Sequence, residues 1–319
     1  MATATAVQAQ KRKTTIHASD RVARVVVLIF AATVLMIAVI LVFELWNGSA
    51  GSRHKMGWSF LTSSNWNPVT EQFGALPFIY GTIVTSILAL LISVPLSLGA
   101  AIFLSELAPA GISNPLTFLV ELLAAIPSVI YGLLAIFTLV PLVRSYIGPF
   151  LKATLGFLPF FQGPSYGVGY LTAGMILAIM IFPFIISVSR ESLLAVPREQ
   201  REAALALGAT KWESTWQVVV PYAKLGITGS VFLALARALG ETMAVTMVIG
   251  NDPAIHTSLL APGAAIAAVI ANEFSEATGP VYPAALVELG LVLFCLTIVM
   301  NGMARLMIIA TTRKGSKRA

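Results

Sequence analysis

Charged residues, cysteine and histidine are all scarce in this chain of 319 residues. Only 11% of the residues are charged, whereas about a quarter are charged in an average soluble protein. The single cysteine, Cys295, excludes an intramolecular disulfide. The histidines His17, His54 and His256 lack the spacing of metal ligands. We therefore expect no metal site, no cofactor and no catalytic residues.

The chain also lacks the glycine-rich phosphate loop of an ATPase. Such a loop needs Gly-Lys followed by Ser or Thr to hold the phosphates, and the sequence contains no Gly-Lys dipeptide. An energy source based on ATP must therefore lie in another polypeptide. The net charge of +6 reflects membrane topology, with weak attraction to anionic lipid, and does not call for nucleic acid.

Apolar stretches dominate what is present, since 57% of the residues are hydrophobic. A helix needs about 20 apolar residues to cross a membrane, and stretches so poor in charge on every face do not fit a soluble protein. The predicted spans are 22–43, 78–104, 116–143, 168–189, 225–251 and 283–309. Pro95 and Pro127 interrupt the second and third, where bending or local unwinding is expected. The sequence predicts an all-α polytopic membrane protein with one transmembrane domain, 22–312.

The first span follows several basic residues and resembles a secretory signal in that respect. Its apolar run is too long for such a signal, although the small residues of 47–50 resemble a cleavage site. We interpret the first span as an uncleaved anchor.

Lys and Arg are concentrated at the two ends of the chain and in the 190–224 loop. Short loops rich in these residues stay in the cytoplasm. The sequence therefore predicts that the tails, 1–21 and 313–319, and the 190–224 loop all face the cytoplasm. In the outer loop after residue 251, a short helix is expected over 264–274.

The 190–224 loop is the only long, charge-dense segment in the interior of the sequence. Pro197 suits the start of a helix, and good helix formers follow from Arg198 to Leu207. Gly208 then suits a left-handed cap. These signals predict a short helix that ends at a glycine turn.

A second helix is predicted directly after that turn. Thr210 and Glu213 fit a capping box, Trp212 and Trp216 follow on the helix, and Pro221 is expected to end it. Mixed charge alone is also typical of a solvated connector. The compact capped element, with its tryptophans and alanines, favours a docking surface.

The fifth predicted span carries Arg237 and Glu241, four residues apart, within an apolar stretch. On one helix this spacing puts both charges on the same face. A charge at mid-bilayer costs about 2.5–3.5 kcal/mol and usually faces a bundle interior or an aqueous path. We expect the pair to line a substrate path, and the alternative is a neutralising pair that joins two helices.

Other polar residues belong to the same candidate path. Glu121 lies early in the third span, and Ser128 and Thr242 offer hydroxyls, although such hydroxyls also join membrane helices. Glu121 or Glu288 could pair with Arg237. An arginine suits a tetrahedral oxyanion, because its planar fork donates paired hydrogen bonds. The residues alone indicate an anion as cargo.

The cytoplasmic loop resembles that of permease subunits of bacterial ATP-binding-cassette (ABC) importers. The resemblance rests on Glu202-Ala203-Ala204, Gly208 and Pro221 in the family's spacing. It implies the type I (MetI-like) permease fold. It also implies that these five residues belong to a coupling helix and its flank, which seat against a separate ATPase subunit.

Three further stretches, 121–132, 237–245 and 271–277, are similar to those of the PstC-type permeases of bacterial phosphate importers. The resemblance implies a multi-pass protein of the bacterial cytoplasmic (inner) membrane that carries inorganic phosphate. The implied partners are a second, PstA-type permease, two copies of a PstB-type ATPase, and a periplasmic or lipid-anchored PstS-type phosphate-binding protein.

Three alternatives remain open at this point. The same fold could carry another oxyanion, such as sulfate or molybdate. A secondary transporter or channel working alone would not need the docking element. A membrane sensor that reports phosphate status through its ATPase partner is compatible with transport.

Overall fold

A computed structural model describes the backbone of residues 18–316 and the side chains of residues 22–306. Helices dominate this part of the chain, with one short hairpin. The α-helices are α1 (Ala18–Gly48), α2 (Ala50–Met56), α3 (Ser59–Thr62), α4 (Leu76–Ile102), α5 (Ala110–Ala124), α6 (Ser128–Leu134), α7 (Val140–Leu142), α8 (Gly148–Leu155), α9 (Tyr170–Leu194), α10 (Arg198–Ala206), α11 (Lys211–Ser214), α12 (Val220–Leu239), α13 (Met243–Thr246), α14 (Ile266–Glu273) and α15 (Tyr282–Ser316).

Wider π turns join several of these helices into longer rods. The π turns are Phe103–Leu107, Ala135–Leu139, Val143–Ile147 and Thr215–Val219, and one 3₁₀ turn is Pro159–Phe161. Strands β1 (Trp66–Asn67) and β2 (Gln72–Phe73) form an antiparallel hairpin.

Within the described residues, six helical stretches are long and apolar enough to cross a membrane, as the sequence predicts. They are Val22–Gly48, Leu76–Leu107, Ser128–Leu155, Tyr170–Leu194, Lys211–Leu239 and Tyr282–Leu306. The shorter apolar helix α5 precedes the third. The chain is therefore an all-α polytopic membrane protein.

The chain divides into a unit of residues 1–47 and a unit of residues 48–319. In the first unit, the most apolar stretch of α1 buries none of its residues inside the protein. Exposed apolar surface of this extent is unstable in water. Lipid or another chain must cover α1.

The core of the second unit lies where α9 packs against α4 and α12. Large side chains of α9, including Ile176, Leu177 and Ile181, are almost completely buried. Gly174 allows the close approach, because a Cβ there would lie 2.7 Å from the Cβ of Leu88 on α4. Small residues at membrane helix contacts commonly have this role.

The third predicted span, 116–143, differs from the observed helices. Helix α5 ends at Ala124, and a new helix begins at Ser128, directly after Pro127. Proline disfavours the helical conformation in the residue before it, so the break falls at this point. In contrast, α4 continues through Pro95. The apolar helical stretch therefore runs over 128–155 and starts later than predicted.

The fifth predicted span, 225–251, also differs. The helical rod runs from Lys211 to Leu239 and stops at Gly240, after which only α13 is helical as far as residue 251. The sequence stays apolar beyond Gly240, which is why the pattern predicts a longer helix.

Pro221 does not end the second cytoplasmic helix, contrary to the prediction. It stands in the first turn of α12, where a missing N–H costs little. The preceding π turn lets the N–H of Val220 donate to the oxygen of Thr215, five residues earlier. The wider turn carries the helix past the proline ring.

The predicted short outer helix over 264–274 is confirmed as α14. It is tied to α4 by a hydrogen bond from the N–H of Ile266 to the hydroxyl of Thr82, 3.0 Å long. At the other end of the chain, α15 extends to Ser316, into the predicted tail 313–319. Residues 1–17 of the predicted N-terminal tail and residues 317–319 lie outside the described part.

Candidate functional site

The first helix predicted in the 190–224 loop is confirmed as α10 (Arg198–Ala206), which we call the coupling helix after its predicted role. Pro197 precedes it with an extended ψ of 141°. Gly208 ends the turn with a φ of +89°, and a Cβ there would meet no atom within 4 Å. Glycine is needed at this position for its backbone conformation, since the space around it is open.

The predicted capping box is also present at the start of α11. The Thr210 hydroxyl accepts from the N–H of Glu213 at 3.3 Å, and the Glu213 carboxylate accepts from the N–H of Thr210 at 2.8 Å. The Thr210 hydroxyl also donates to this carboxylate at 2.9 Å. The hydrogen bonds that the carboxylate accepts, first from the N–H and then from the hydroxyl of Thr210, hold the pKa of Glu213 below its ordinary value of 4.5. Trp212 and Trp216 are 56% and 47% exposed and meet edge to face, 5.5 Å apart.

The residues of the coupling motif divide between two elements. Glu202, Ala203 and Gly208 are exposed, and Ala204 is half-buried, all on the coupling helix and its turn. Pro221 lies away from them, on α12. The helix and its turn therefore present an exposed surface that carries both charged and apolar side chains, and Leu207 projects from it at 90% exposure.

Arg201 and Glu106 form a contact that the sequence did not reveal. The Arg201 Nε and Nη2 donate to the two carboxylate oxygens of Glu106, at 3.1 and 2.8 Å. The pair is separated by 95 positions. No local pattern in the sequence pairs Glu106 with Arg201, because the two residues meet only in the tertiary structure.

Arg237 lies in the last turn of α12 and is exposed in the single chain. Glu241 comes after the helix has ended at Gly240. Its carboxylate accepts a hydrogen bond from the N–H of Ala244 at 3.2 Å, at the start of α13. Both side chains are described, and no ion pair joins them. The predicted arrangement on one helical face is therefore wrong.

The other candidate path residues lie near the same helix ends. Helix α6, which begins at Ser128, packs on α13 so closely that a Cβ at Gly132 would lie 2.4 Å from the sulfur of Met247. Thr242 directly precedes α13. Tyr131 is 4% exposed, donates to the carbonyl of Leu123 at 2.7 Å across the Pro127 break, and lies within electrostatic reach of Arg237. Tyr131 therefore connects the Pro127 break to the neighbourhood of Arg237.

Glu121 and Glu288 do not pair with Arg237. Glu121 is exposed on α5, one turn before the break. Glu288 is buried near the start of α15, beside Ser52 and Arg53 of α2. Among the described residues, no group of three or more His, Cys, Asp or Glu side chains could hold a metal ion.

Comparison with known proteins gives a family match over most of the chain. Residues 93–308 match the family described as binding-protein-dependent transport system inner membrane component. The phosphate transport system permease protein PstC of Mesorhizobium japonicum is 49% identical, over 92% of this chain and 88% of its own length. Proteins of the same description from Xylella fastidiosa strain Temecula1 (51% identical, over 85% of this chain and 84% of its own) and Pasteurella multocida (45%, over 98% of each) are also similar.

A solved structure shares the fold. It is a chain from the crystal structure of a bacterial ABC transporter involved in the import of the acidic polysaccharide alginate. The TM-score is 0.57 at 17% identity, with 87% of this chain and 95% of that chain covered.

Proposed function

Because the chain belongs to the family of binding-protein-dependent transport system inner membrane components, and within it to the PstC-type phosphate permeases, we propose that it forms part of the path for inorganic phosphate into the cytoplasm. It has the type I (MetI-like) permease fold and is a transport subunit. The ATP that drives the movement is hydrolysed by a separate subunit.

One observation carries the proposal: a single helical rod connects the two candidate sites. It starts at Lys211, directly after the capped turn, and ends at Leu239, two residues after Arg237. Its 29 residues correspond to about 43 Å at 1.5 Å per residue. A rod of this length carries a displacement at the cytoplasmic end to Arg237 deep in the membrane-spanning region.

The exposure of Arg237 supports a second permease subunit. A charged side chain facing lipid costs about 2.5–3.5 kcal/mol or more, and Arg237 is exposed in the single chain. On the same helix, Leu233 is 55% exposed one turn earlier. A PstA-type partner covering this face would exclude lipid and leave Arg237 lining a path between the two subunits.

The residues of the path have separate roles in this proposal. The guanidinium of Arg237 binds the phosphate oxygens through paired hydrogen bonds. Glu241 limits how long the anion stays, because its negative charge opposes a second negative charge nearby. Glu121, Ser128 and Thr242 provide polar contacts near the helix ends. The path therefore favours passage over tight retention.

The remaining partners follow from the direction of transport. The complex contains two PstB-type ATPase subunits, and one of them docks on the coupling helix and its turn, through Glu202, Ala203, Ala204 and Gly208, with Pro221 on the adjoining rod. A PstS-type binding protein delivers phosphate from outside. Both termini face the cytoplasm of a bacterium, and the chain spans its inner membrane.

The test is ATP-driven uptake of radiolabelled phosphate into vesicles that contain the complete complex. We expect Arg237→Gln to lower uptake at least about tenfold, because the paired donors are lost, while all subunits still assemble. The matched control is Arg144→Gln, which removes an exposed arginine from another helical rod and should leave uptake unchanged. Failure of the Arg237 variant to assemble would instead indicate a structural role. Competition by sulfate or molybdate as strong as that by phosphate would assign the complex to another oxyanion.

A further inference from the structure

One side chain of the coupling helix, Arg201, binds it by hydrogen bonds to the membrane-spanning part. Its guanidinium donates to both oxygens of Glu106, and Nη2 also donates to the carbonyl of Leu193 at 2.7 Å. Nη1 donates to the carbonyl of Val196. Four acceptor atoms on two other segments thus meet one guanidinium.

These acceptors belong to the cytoplasmic ends of two spans. Glu106 lies in the π turn Phe103–Leu107 that ends the second span, and Leu193 lies in the last turn of α9. The final carbonyls of a helix have no partner within the helix and carry partial negative charge. Arg201 satisfies carbonyls at the end of α9 and neutralises Glu106 at the same time.

The contact is shielded enough to be a strong one. The side chains of Arg201 and Glu106 are 20% and 10% exposed. A buried apolar cluster also joins these segments. It contains Leu104 at the end of the second span, Leu193 at the end of α9 and Val219 in the rod. Two parallel hydrogen bonds between a guanidinium and a carboxylate also fix the mutual orientation of the groups. The ion pair is therefore a rigid contact, supported by a well-packed apolar cluster at the ends of the same spans.

Apolar packing does not hold the coupling helix in the same way. Over its nine described residues, 198–206, no residue is buried. Glu106 is its ion-pair partner among the described side chains. Arg201, the residue next to Glu202, therefore provides a direct side-chain connection from the exposed face of the helix to both spans.

We propose that the Glu106–Arg201 pair is the joint through which movement of the coupling helix is transmitted to the second and fourth spans. Both are positioning residues, since neither is expected to touch phosphate or ATP. The inference rests on the proposed function, because it assumes an ATPase docked on the coupling helix. Without the pair, the ATPase would still dock and hydrolyse ATP, but the spans would follow its movement poorly.

The test measures phosphate transported and ATP hydrolysed in the same vesicles, with the complete complex. We expect Glu106→Gln and Arg201→Gln each to lower phosphate transported per ATP at least about fivefold, with hydrolysis within about twofold of the unmodified complex. The double variant should be no worse than either single variant, because both remove one joint. Arg201→Lys, which keeps the charge but not the fork, should be intermediate.

Glu191→Gln is the matched control, since it neutralises an exposed carboxylate one turn from the end of α9. It should leave the ratio unchanged. A ratio within about twofold of the unmodified complex in both Glu106→Gln and Arg201→Gln would overturn the joint. A double variant much worse than the single ones would also overturn it.

Loss of assembly in Glu106→Gln would shift the test to Glu106→Asp, which keeps the charge and shortens the side chain. Assembly with a lowered ratio would support the joint. Assembly with an unchanged ratio, or failure to assemble again, would overturn it in favour of a purely structural role. The proposed function has a separate readout: it fails if the unmodified complex does not couple hydrolysis to uptake at all.

Discussion

Arg237 lies in the last turn of one helix, and the carboxylate of Glu241 accepts a hydrogen bond in the first turn of the next. Gly240 stands between them, with backbone angles of −95° and 0° that do not continue the helix. Glu241 accepts a hydrogen bond from the N–H of Ala244, so its carboxylate has a structural task besides its charge. The two charges lie on separate elements and can move relative to one another.

Two substitutions at Glu241 should separate its charge from its hydrogen bond. Glu241→Gln keeps an acceptor for the N–H of Ala244, and we expect unchanged thermal stability with altered phosphate uptake. Glu241→Ala removes the acceptor as well and should lower the free energy of unfolding by about 0.5–2 kcal/mol, as loss of a helix cap does. Thermal unfolding of the purified chain and uptake by the complex are the measurements. Equal stability of the two variants would contradict the capping role.

Gly208 should tolerate asparagine better than valine. Its φ of +89° is left-handed, and the space around it is open, so only backbone strain decides the outcome. Asparagine enters this region more readily than a β-branched residue, for which the strain is about 1–2 kcal/mol. We expect Gly208→Val to lower ATP-driven uptake severalfold and Gly208→Asn to retain most of it. The same loss in both variants would mean that the side chain itself obstructs docking.

Two glycines of α4 should differ sharply in their tolerance of alanine. A Cβ at Gly81 would lie 1.9 Å from the carbonyl oxygen of Ala264, whereas a Cβ at Gly99 meets no atom within 4 Å. Gly81→Ala should therefore lower the free energy of unfolding of the isolated chain by about 1–3 kcal/mol, as overpacking does. Gly99→Ala is the control and should leave it nearly unchanged. Thermal unfolding in detergent compares the two.

The capped turn before the rod should weaken in acid. Hydrogen bonds with Thr210 lower the pKa of Glu213 in the folded protein. Because the pKa of Glu213 is lower in the folded protein, the stability that these hydrogen bonds contribute is fully present above 4.5, the unfolded value. This stability is lost as the pH falls through the folded pKa. We expect the fluorescence of Trp212 to change with a midpoint below 4.5.

This measurement needs a chain in which the tryptophans outside residues 210–219 are replaced by phenylalanine. They are Trp46, Trp58 and Trp66. Thr210→Val is the control. It removes the hydroxyl half of the capping box and should reduce the change of fluorescence with pH. A midpoint above 4.5 would contradict the assigned hydrogen bonds.

The sequence predicted the helix, turn and cap of the 190–224 loop well because their signals are local. Pro197, Gly208, Thr210 and Glu213 each act on backbone groups within a few positions, so the pattern alone specifies helix, turn and cap. Counting apolar stretches likewise gave the correct number of candidate spans.

The candidate path was predicted less well because helix ends inside an apolar stretch leave little trace in the sequence. Apolar residues continue past Gly240, so periodicity alone extends the helix and joins Arg237 to Glu241. The Pro127 break had a visible cause in the sequence, but apolar residues on both sides of it hid which side forms the longer helical stretch. The contact between Glu106 and Arg201 depends on tertiary structure and has no local signal.

The π turn Thr215–Val219 lies between the two ends of the rod. Each residue of an α-helix turns the chain by about 100°, and a π turn holds one residue more than an α turn would. The wider turn absorbs its extra residue, so closing it by deleting one residue would leave Arg237 facing nearly the same direction relative to Trp212. Deleting one residue within α12, where no wider turn absorbs the change, would swing Arg237 by about 100° around the rod axis. The π turn is therefore the place where the length of the rod can change without turning the arginine away from the direction that its partner requires.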